Sequence, residues 1–213
     1  MEPMFTTLTE KVAPEHTALI IIDIQNDFCA HGGFLSELGR DLSMVQAMVP
    51  RLNSFISRAR DAGAMVVFVR AVFDDPYLSP EWADKWTKSP SGKGLCLNGA
   101  WGTELHLLQP QAGDAVITKH RYSAFKGTDL DLVLRSKGIK TLLMSGVSTN
   151  VCVESTARDG HQMDYYIVFL EDCVANTDRQ AHENTLENIR RYFGEVCSSA
   201  EVLSAWKMAA APG

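Results

Sequence analysis

The sequence predicts an α/β fold: a three-layer αβα sandwich around a mostly parallel sheet of about six strands, with Rossmann-like topology. Short runs of aliphatic and β-branched residues recur along the chain, as is typical of parallel strands covered on both faces. Segments with helical periodicity lie between these runs, and this alternation is typical of α/β proteins. The 213 residues contain no repeat, linker or low-complexity tract, so we predict one domain over residues 1–213.

The predicted strands begin with a continuous apolar run from Thr17 to Asp23, which has the composition of a strand buried on both faces. Further apolar runs follow it along the chain. The later predicted strands are Ala64–Arg70, Ala115–Lys119, Thr141–Ser145, Tyr165–Leu170 and Glu195–Cys197. The first three predicted strands each end in a charged residue, which puts charged groups at the carboxyl edge of the sheet.

Helical periodicity separates most of the predicted strands. The helix predicted between Leu42 and Gly63 contains Pro50, which predicts a kink or a break into two helices. We also predict a short helix from Thr103 to Leu108. The remaining predicted helices are Thr128–Lys137, Val151–His161, a segment from about Asp178 to Tyr192, and a helix at the end of the chain. Residues 1–16 and 31–35 are predicted to be irregular.

The longest region without a periodic pattern lies between Phe73 and Trp101. It contains several prolines and glycines together with Trp82 and Trp86. Loops of this length in a compact domain tend to be lids or assembly elements, and exposed apolar rings need cover. We therefore predict that this loop closes a pocket or packs on another subunit, and that the protein forms a homodimer or homotetramer.

Composition excludes several classes of function. The formal net charge is −6 and no basic run occurs, so no nucleic-acid partner is predicted. No apolar stretch is long enough to span a membrane, and residues 1–14 lack the apolar core of a signal peptide, so we expect a cytoplasmic protein without a membrane partner. The five cysteines are an odd number without a Cys-x-x-Cys pair, which predicts neither a disulfide framework nor a thiolate zinc site.

The stretch from Met144 to Gly160 predicts a strand, a tight turn and a helix. Cys152 would fall in the first turn of that helix, capped by one of residues 148–150. The helix dipole and the free backbone N–H groups there favour a thiolate, so we predict a lowered pKa for Cys152. In open α/β sheets, ligands bind at the carboxyl ends of the strands. The alternative is that Cys152 is a small buried hydrophobic residue.

Three reactive groups follow predicted strands: Asp23, Lys119 and Cys152. Because parallel strands place their carboxyl ends at one edge of the sheet, the three side chains can meet in one cleft. Asp23 could then take the thiol proton and deliver it to a leaving nitrogen, while Lys119 keeps Asp23 ionised and stabilises the thiolate. The alternative for Asp23 and Lys119 is a buried ion pair that serves only the fold.

Three stretches carry a resemblance to a known family: Ile22–Phe28, Lys119–Phe125 and Gly146–Val153. They resemble the three motifs of the isochorismatase-like cysteine hydrolases, in the same order and with similar spacing over nearly the whole chain. The resemblance implies the isochorismatase-like fold and a catalytic triad made of the aspartate, lysine and cysteine named above.

The same resemblance implies the geometry of the turn before Cys152. The bond between Val147 and Ser148 matches the cis peptide bond of the family. The backbone amides of Ser148 and Cys152 are then implied as the oxyanion hole.

Within the family, the motifs are most similar to those of ureidoacrylate amidohydrolases, to which biuret and N-carbamoylsarcosine hydrolases are related. This implies a metal-independent cysteine amidohydrolase that cleaves a C–N bond of a small ureido or carbamoyl substrate, with ammonia release through a cysteine acyl-enzyme. Two features depart from the subgroup: His120 stands where proline is frequent, and the loop from Ala71 to Trp101 does not match clearly.

Nicotinamidases of this superfamily carry an Asp-x-His metal site after the second strand. The corresponding segment, Val69–Asp75, contains no histidine, so we predict no zinc site and no cofactor. Three alternatives remain open on the sequence. They are another small-amide hydrolase of the biuret, carbamoylsarcosine or nicotinamide type, an isochorismatase-type vinyl-ether hydrolase, and a thiol redox or interaction protein without enzymatic activity.

Aromatic and basic residues flank the triad motifs and are candidates for binding a flat substrate. The predicted substrate-binding residues are Phe28, Arg70, Trp101, Tyr122 and Phe125. Each of these aromatic residues could equally be part of the hydrophobic core. Arg70 or Arg121 could hold a substrate carboxylate in a bidentate pair, and Arg121 fits a solvated surface position equally well. The other thiols, at positions 29, 96, 173 and 197, are predicted to be structural.

Overall fold

Six parallel strands form the central sheet of the computed structural model, which describes residues 4–86, 90–92 and 94–210. The strands are β1 (Thr17–Ile22), β2 (Met65–Ala71), β3 (Ala115–Lys119), β4 (Thr141–Gly146), β5 (Tyr166–Val174) and β6 (Glu195–Cys197). Their order across the sheet is β3-β2-β1-β4-β5-β6, and every neighbouring pair is parallel. The predicted α/β class and parallel sheet are confirmed.

The helices connect the strands and cover the sheet. They are α1 (Leu8–Lys11), α2 (Asn26–Cys29), α3 (Phe34–Glu37), α4 (Ser43–Asp61), α5 (Pro80–Trp86), α6 (Leu130–Ser136), α7 (Glu154–Gln162), α8 (Arg179–Tyr192) and α9 (Ser199–Ala210). No helix among the described residues combines the length and the apolar character that crossing a bilayer requires.

Strand β1 lies in the middle of the sheet and is buried along its whole length. Leu19 and Ile21 pack into a core layer that includes residues of α4 and α9, whereas Ile20 and Ile22 pack into a second layer that includes residues of α6, α7 and α8. Side chains alternate between the faces of a strand, so a fully apolar strand needs cover on both sides. The helices on both sides supply it and complete the three-layer sandwich.

Of the kink or break predicted at Pro50, the break is wrong, because α4 continues through this residue as one helix. Proline removes one backbone hydrogen bond within a helix, but Pro50 lies on the exposed face of α4, where water can satisfy the freed carbonyl. The segments predicted to be irregular contain the short helices α1 and α3. A Thr7–Glu10 capping box stabilises the first of these.

The predicted helix from Thr103 to Leu108 is also wrong. A single 3-10 turn, Trp101–Thr103, precedes an extended segment. There the Glu104 carbonyl accepts a hydrogen bond from the Asn26 amide at 2.9 Å, and the His106 amide donates to the Ile24 carbonyl at 2.8 Å. The extended form is favoured because it pairs with the backbone that follows β1, an interaction that the local sequence pattern does not contain.

Candidate active site

The order of the strands reverses between β1 and β4, because β1 is followed along the chain by strands on one side of it and β4 by strands on the other. A crevice forms at such a switch point in open α/β sheets. Asp23 follows β1 directly, and Cys152 lies in the turn that follows β4. Lys119 is the last residue of β3 at the edge of the sheet, and its long side chain extends to the switch point.

Asp23 has a backbone φ of 55°, in the left-handed region that few residues other than glycine adopt. Its amide donates to the Val69 carbonyl at 2.9 Å, and its carbonyl accepts from the Gln25 amide at 2.8 Å. The side chain is fully buried. Unusual backbone conformations of this kind concentrate at functional sites, where the surrounding structure holds them.

The Lys119 ammonium pairs with Asp23, with Nζ 2.8 Å from Oδ2. Both side chains are completely sheltered from solvent, and Nζ also donates to the Arg121 carbonyl at 3.1 Å. A buried charge is tolerated only when it is paired and hydrogen-bonded. Besides Lys119, the Cys152 thiol hydrogen-bonds to the Asp23 carboxylate, which is therefore placed to accept the thiol proton.

Cys152 lies in a π-helical turn, Thr149–Val153, that leads into α7, and not in the first turn of that α-helix as predicted. Turns of this type are frequent at functional sites. The thiol is buried, and it interacts with both the Asp23 carboxylate and the Lys119 ammonium. The three predicted triad residues therefore meet in one cluster.

Burial raises the pKa of the Cys152 thiol, and the neighbouring Asp23 carboxylate raises it further, while Lys119 opposes both effects. The predicted lowering of this pKa is wrong, because loss of solvent outweighs the helix dipole and the ammonium. The resting thiol is thus protonated at neutral pH and needs a base.

The same loss of solvent makes Asp23 a stronger base. Burial raises the pKa of Asp23 above its usual value, although Lys119 and Cys152 counteract this. Burial lowers the pKa of Lys119, but the interactions with Asp23 and Cys152 together raise it above its usual value, so the lysine is a cation. The cluster therefore combines a protonated thiol, a basic carboxylate and a fixed positive charge.

The peptide bond between Val147 and Ser148 is cis. In the part of the chain that the structure describes, the Ser148 amide donates no hydrogen bond, and the Cys152 amide donates none outside its own turn. The Ser148 N–H is therefore placed to donate to an oxyanion, and the oxyanion hole implied for the amides of Ser148 and Cys152 stays a prediction. Gly146 precedes them with a φ of 108°, and a Cβ there would lie 2.1 Å from the Ile22 carbonyl oxygen, so only glycine fits.

Neighbouring segments hold this turn in place. The Thr149 hydroxyl hydrogen-bonds with Nδ1 of the buried His182 at 2.9 Å, and Asn176 donates to the Asn150 side chain at 2.8 Å. The Thr156 hydroxyl donates to the Cys152 carbonyl at 2.8 Å and accepts from the Ala124 amide at 3.0 Å. Thr156 thereby links the segment that follows Lys119 to the nucleophile turn.

The structure separates the predicted substrate-binding residues. Phe125 stacks on Tyr165 with ring centroids 5.8 Å apart, and it lies near Gly160, late in α7. Tyr165 precedes β5, so Phe125 packs in the core toward the amino ends of the strands and does not line the cleft. Phe28 is buried in the core layer beside α4, whereas Cys152 belongs to the opposite layer.

The remaining predicted residues are exposed or half-buried. Arg70 is exposed, and its Nε donates to the Thr118 hydroxyl at 3.1 Å on the edge strand, so it is outside the cluster. The Trp101 ring is half exposed. Tyr122 is half-buried, with its ring centroid 4.6 Å from that of Trp82. Tyr122 thus contacts an aromatic residue of the long loop. The side chain of Trp86 lies outside the described residues.

The sequence predicted no functional role for Gln25 or Asp27. The buried Gln25 side chain donates to the carbonyls of Ala71 and Thr103, each at 2.9 Å, and accepts from the Ala71 amide at 2.7 Å. Asp27 accepts from the Phe34 amide at 3.1 Å and from the Cys96 amide at 2.7 Å. These side chains attach the long loop to the segment after β1. The run of polar residues after a buried strand was the signal that could have revealed them.

Two cavities lie away from the triad atoms. One of about 740 Å³ is lined by residues such as Phe5, Tyr166 and Phe193, near the amino ends of β4 and β5 and far from the chemistry. A smaller one of about 230 Å³ lies beneath the long loop, between Phe73, Trp82 and Leu95. Among residues 4–86, 90–92 and 94–210, no group of three or more histidine, cysteine or acidic side chains is arranged to hold a metal ion.

Comparison with known proteins agrees with this geometry. A protein-family model described as the isochorismatase domain matches residues 17–201. The ureidoacrylate amidohydrolase RutB of Serratia proteamaculans (strain 568) is 40% identical over 198 residues, which cover 86% of this chain and 80% of that protein. RutB of Enterobacter sp. (strain 638) is 38% identical over 207 residues, covering 91% of this chain and 90% of that one.

A solved structure of a cysteine hydrolase from Pseudomonas syringae pv. phaseolicola 1448A superposes with a TM-score of 0.85. It is 28% identical and covers 98% of this chain and 100% of that chain.

Proposed function

Given that the chain belongs to the isochorismatase family, we propose that it is an amide hydrolase of the ureidoacrylate type, with Asp23, Lys119 and Cys152 as its catalytic triad. The ureidoacrylate amidohydrolases that it resembles at 38–40% identity, over most of both chains, support the substrate class. The contact of a buried thiol with a basic carboxylate and a paired ammonium carries the mechanism.

The first step forms a covalent bond between enzyme and substrate. As the Cys152 sulfur attacks the urea carbonyl carbon, its proton passes to the Asp23 carboxylate, which burial has made more basic. The carbonyl electron pair moves onto oxygen, and the amides of Ser148 and Cys152 donate to this oxyanion. The Lys119 ammonium stabilises the sulfur as its negative charge develops.

The second step breaks the C–N bond. The oxyanion re-forms the carbonyl, and Asp23 gives its proton to the departing nitrogen, which leaves as a neutral amine. A carbamoyl group remains on the Cys152 sulfur. Asp23 then takes a proton from a water molecule while the water oxygen attacks the carbonyl carbon of this group. Asp23 returns the proton to the Cys152 sulfur as the C–S bond breaks. The carbamate that leaves decomposes to carbon dioxide and ammonia, so one ammonia and one amine form for each ureido group.

An ammonia-release screen tests this function. Wild-type protein is assayed with ureido acids, biuret, carbamoyl amino acids, nicotinamide and simple amides, and the values of kcat/KM are compared. We expect the highest value for an unsaturated or saturated ureido acid. A higher value for nicotinamide would contradict the substrate class, and an absence of ammonia from all of these compounds would contradict the function itself.

Prolonged dialysis against a strong chelator should leave the rate of ammonia release unchanged. The described residues hold no set of metal ligands, and every step above uses protein groups and water. Activity that is lost on dialysis and restored by zinc would contradict this expectation. The same protein dialysed without chelator is the control.

A further inference from the structure

Arg121 is the basic side chain next to the catalytic lysine. It lies two residues after Lys119, and its backbone carbonyl accepts a hydrogen bond from Lys119 Nζ at 3.1 Å. The residue is half-buried. Its guanidinium therefore starts from a fixed point at the triad and extends into the loop above it.

No acidic side chain in the described part of the sequence pairs with Arg121. Lys11 and Arg60, which are also half-buried, each form an ion pair, with Glu195 and Asp114 respectively. A half-buried guanidinium without a counter-ion is free to pair with an anion through charge-assisted hydrogen bonds.

Protein contacts orient the Arg121 guanidinium and leave one edge of it open. Nη1 donates to the carbonyls of Tyr77 at 2.9 Å and His120 at 2.6 Å. The guanidinium carbon lies 5.1 Å from the centroid of the Trp82 ring. No described residue accepts from Nε or Nη2, which form the edge that binds a carboxylate through two parallel hydrogen bonds.

Trp82 connects this guanidinium to the small cavity beneath the loop, which has a volume of about 230 Å³. Its indole N–H is buried and finds no acceptor among the described residues, although buried donors are normally satisfied. The cavity wall is joined to the triad strand, because the amide of Val72 donates to the Lys119 carbonyl at 2.9 Å, next to Phe73 of the wall. Donors without an acceptor thus stand on two adjacent side chains: the open edge of Arg121 and the indole of Trp82, whose ring also lines the cavity.

We propose that Arg121 binds the carboxylate of the substrate and so selects anionic ureido acids over neutral ureas and amides. This inference rests on the proposed function and adds the residue that determines specificity. Ureidoacrylate-type substrates carry a carboxylate at one end and the scissile urea at the other. With the urea at Cys152, the open edge of Arg121 holds the acid end, and the Trp82 indole is a second donor beside it.

Arg70 provides the matched control. It was the other arginine that the sequence offered as a carboxylate ligand. It is exposed and bonded to Thr118 on the edge of the sheet, and its guanidinium lies outside the cluster. An Arg70→Gln variant removes the same charge from the same chain without touching the loop.

The experiment compares an acid with its neutral counterpart in two readouts. Values of kcat/KM for 3-ureidopropionate and its methyl ester are measured by ammonia release in wild type, Arg121→Gln, Arg121→Lys and Arg70→Gln. Dissociation constants for both compounds are measured by calorimetry in a Cys152→Ala background with and without Arg121→Gln. Thermal melting verifies that each variant is folded.

We expect Arg121→Gln to weaken binding and lower kcat/KM for the acid on the order of 10- to 100-fold, mostly through KM, because charge-assisted hydrogen bonds are lost. The ester should change less than about threefold. Arg121→Lys should retain part of the preference for the acid over the ester, because lysine keeps the positive charge but cannot donate two parallel hydrogen bonds to the carboxylate. Arg70→Gln should match wild type on both compounds.

Equal losses on acid and ester would show that Arg121 only orders the loop through Tyr77, and would overturn the proposal. Wild-type preference for the ester would do the same while leaving the proposed function intact. If wild type releases no ammonia from any ureido compound, the proposed function fails. The calorimetric comparison in the Cys152→Ala background still decides whether Arg121 binds the carboxylate.

Discussion

Replacing Cys152 with alanine or serine should reduce ammonia release to the background rate while leaving the fold intact. The sulfur forms the covalent bond to the substrate, and serine in the same position is a far weaker nucleophile. The change removes little volume and leaves the turn that holds Cys152 otherwise unchanged, so melting temperatures should stay close to that of wild type. Single-turnover measurements of ammonia with each variant provide the test.

Alkylation separates Cys152 from the other thiols. All five cysteines are free and buried, so labelling is slow for each of them. Cys29 lies close enough to Asp23 that burial and this carboxylate both raise the pKa of its thiol. Inactivation should follow the modification of Cys152 with one label per chain, located by peptide mass. Inactivation that instead follows labelling of Cys29 or Cys173 would contradict the assignment of the nucleophile.

Removing either member of the Asp23–Lys119 pair should lower kcat by orders of magnitude. Asp23→Asn keeps the shape but cannot accept the thiol proton, and general acid–base function contributes about 10²–10⁴-fold. Lys119→Ala leaves the buried Asp23 carboxylate without its counter-ion, which raises the pKa of Asp23 further. A smaller fraction of Asp23 is then ionised and able to accept the thiol proton. Because groups that act as one unit are not additive, the double variant should be little slower than either single variant.

Loss of one partner of a buried ion pair costs about 3–5 kcal/mol of stability, so kcat is measured at a temperature where melting curves show each variant folded. Losses that multiply in the double variant would mean that the two residues work separately. Near-wild-type activity of Asp23→Asn would rule out the triad.

The pH profile of kcat/KM gives a second view of Asp23. Burial raises the pKa of this carboxyl, so the active, ionised form is lost as pH falls through a value above the usual carboxyl range. The acid limb of the wild-type profile should therefore lie at a higher pH than for an exposed aspartate. An acid limb at the usual carboxyl value would contradict this environment.

The sequence was sufficient to predict the sheet because its strands are buried on both faces. An apolar run such as Thr17–Ile22 has no stable place other than the centre of a covered parallel sheet. The meeting of Asp23, Lys119 and Cys152 was predictable for a related reason, since parallel strands bring their carboxyl ends to one edge.

The details of the cleft depend on contacts that no local pattern contains. The pKa of Cys152 is set by how completely the fold excludes water, and this burial reverses the prediction from the helix dipole. Phe125 and Arg70 are close to the triad motifs along the chain, but neither side chain reaches the triad. The segment after β3 directs Phe125 toward Tyr165, and the alternation of side chains along β2 directs Arg70 toward Thr118. The extended segment after Thr103 forms because distant backbone pairs with it.

The position of β1 at the centre of the sheet makes activity a measure of cooperative folding. Asp23 comes early in the chain and Cys152 late, and they meet only because β4 pairs along the whole length of β1. Lys119 joins them from the far edge, across β2. Parallel pairing between strands that are distant in the sequence is slow to form, because the chain loses loop-closure entropy before the contacts between the strands stabilise it. A sheet that lacks any of β1 to β4 cannot bring all three groups together, so the return of activity on refolding marks the assembly of these four strands.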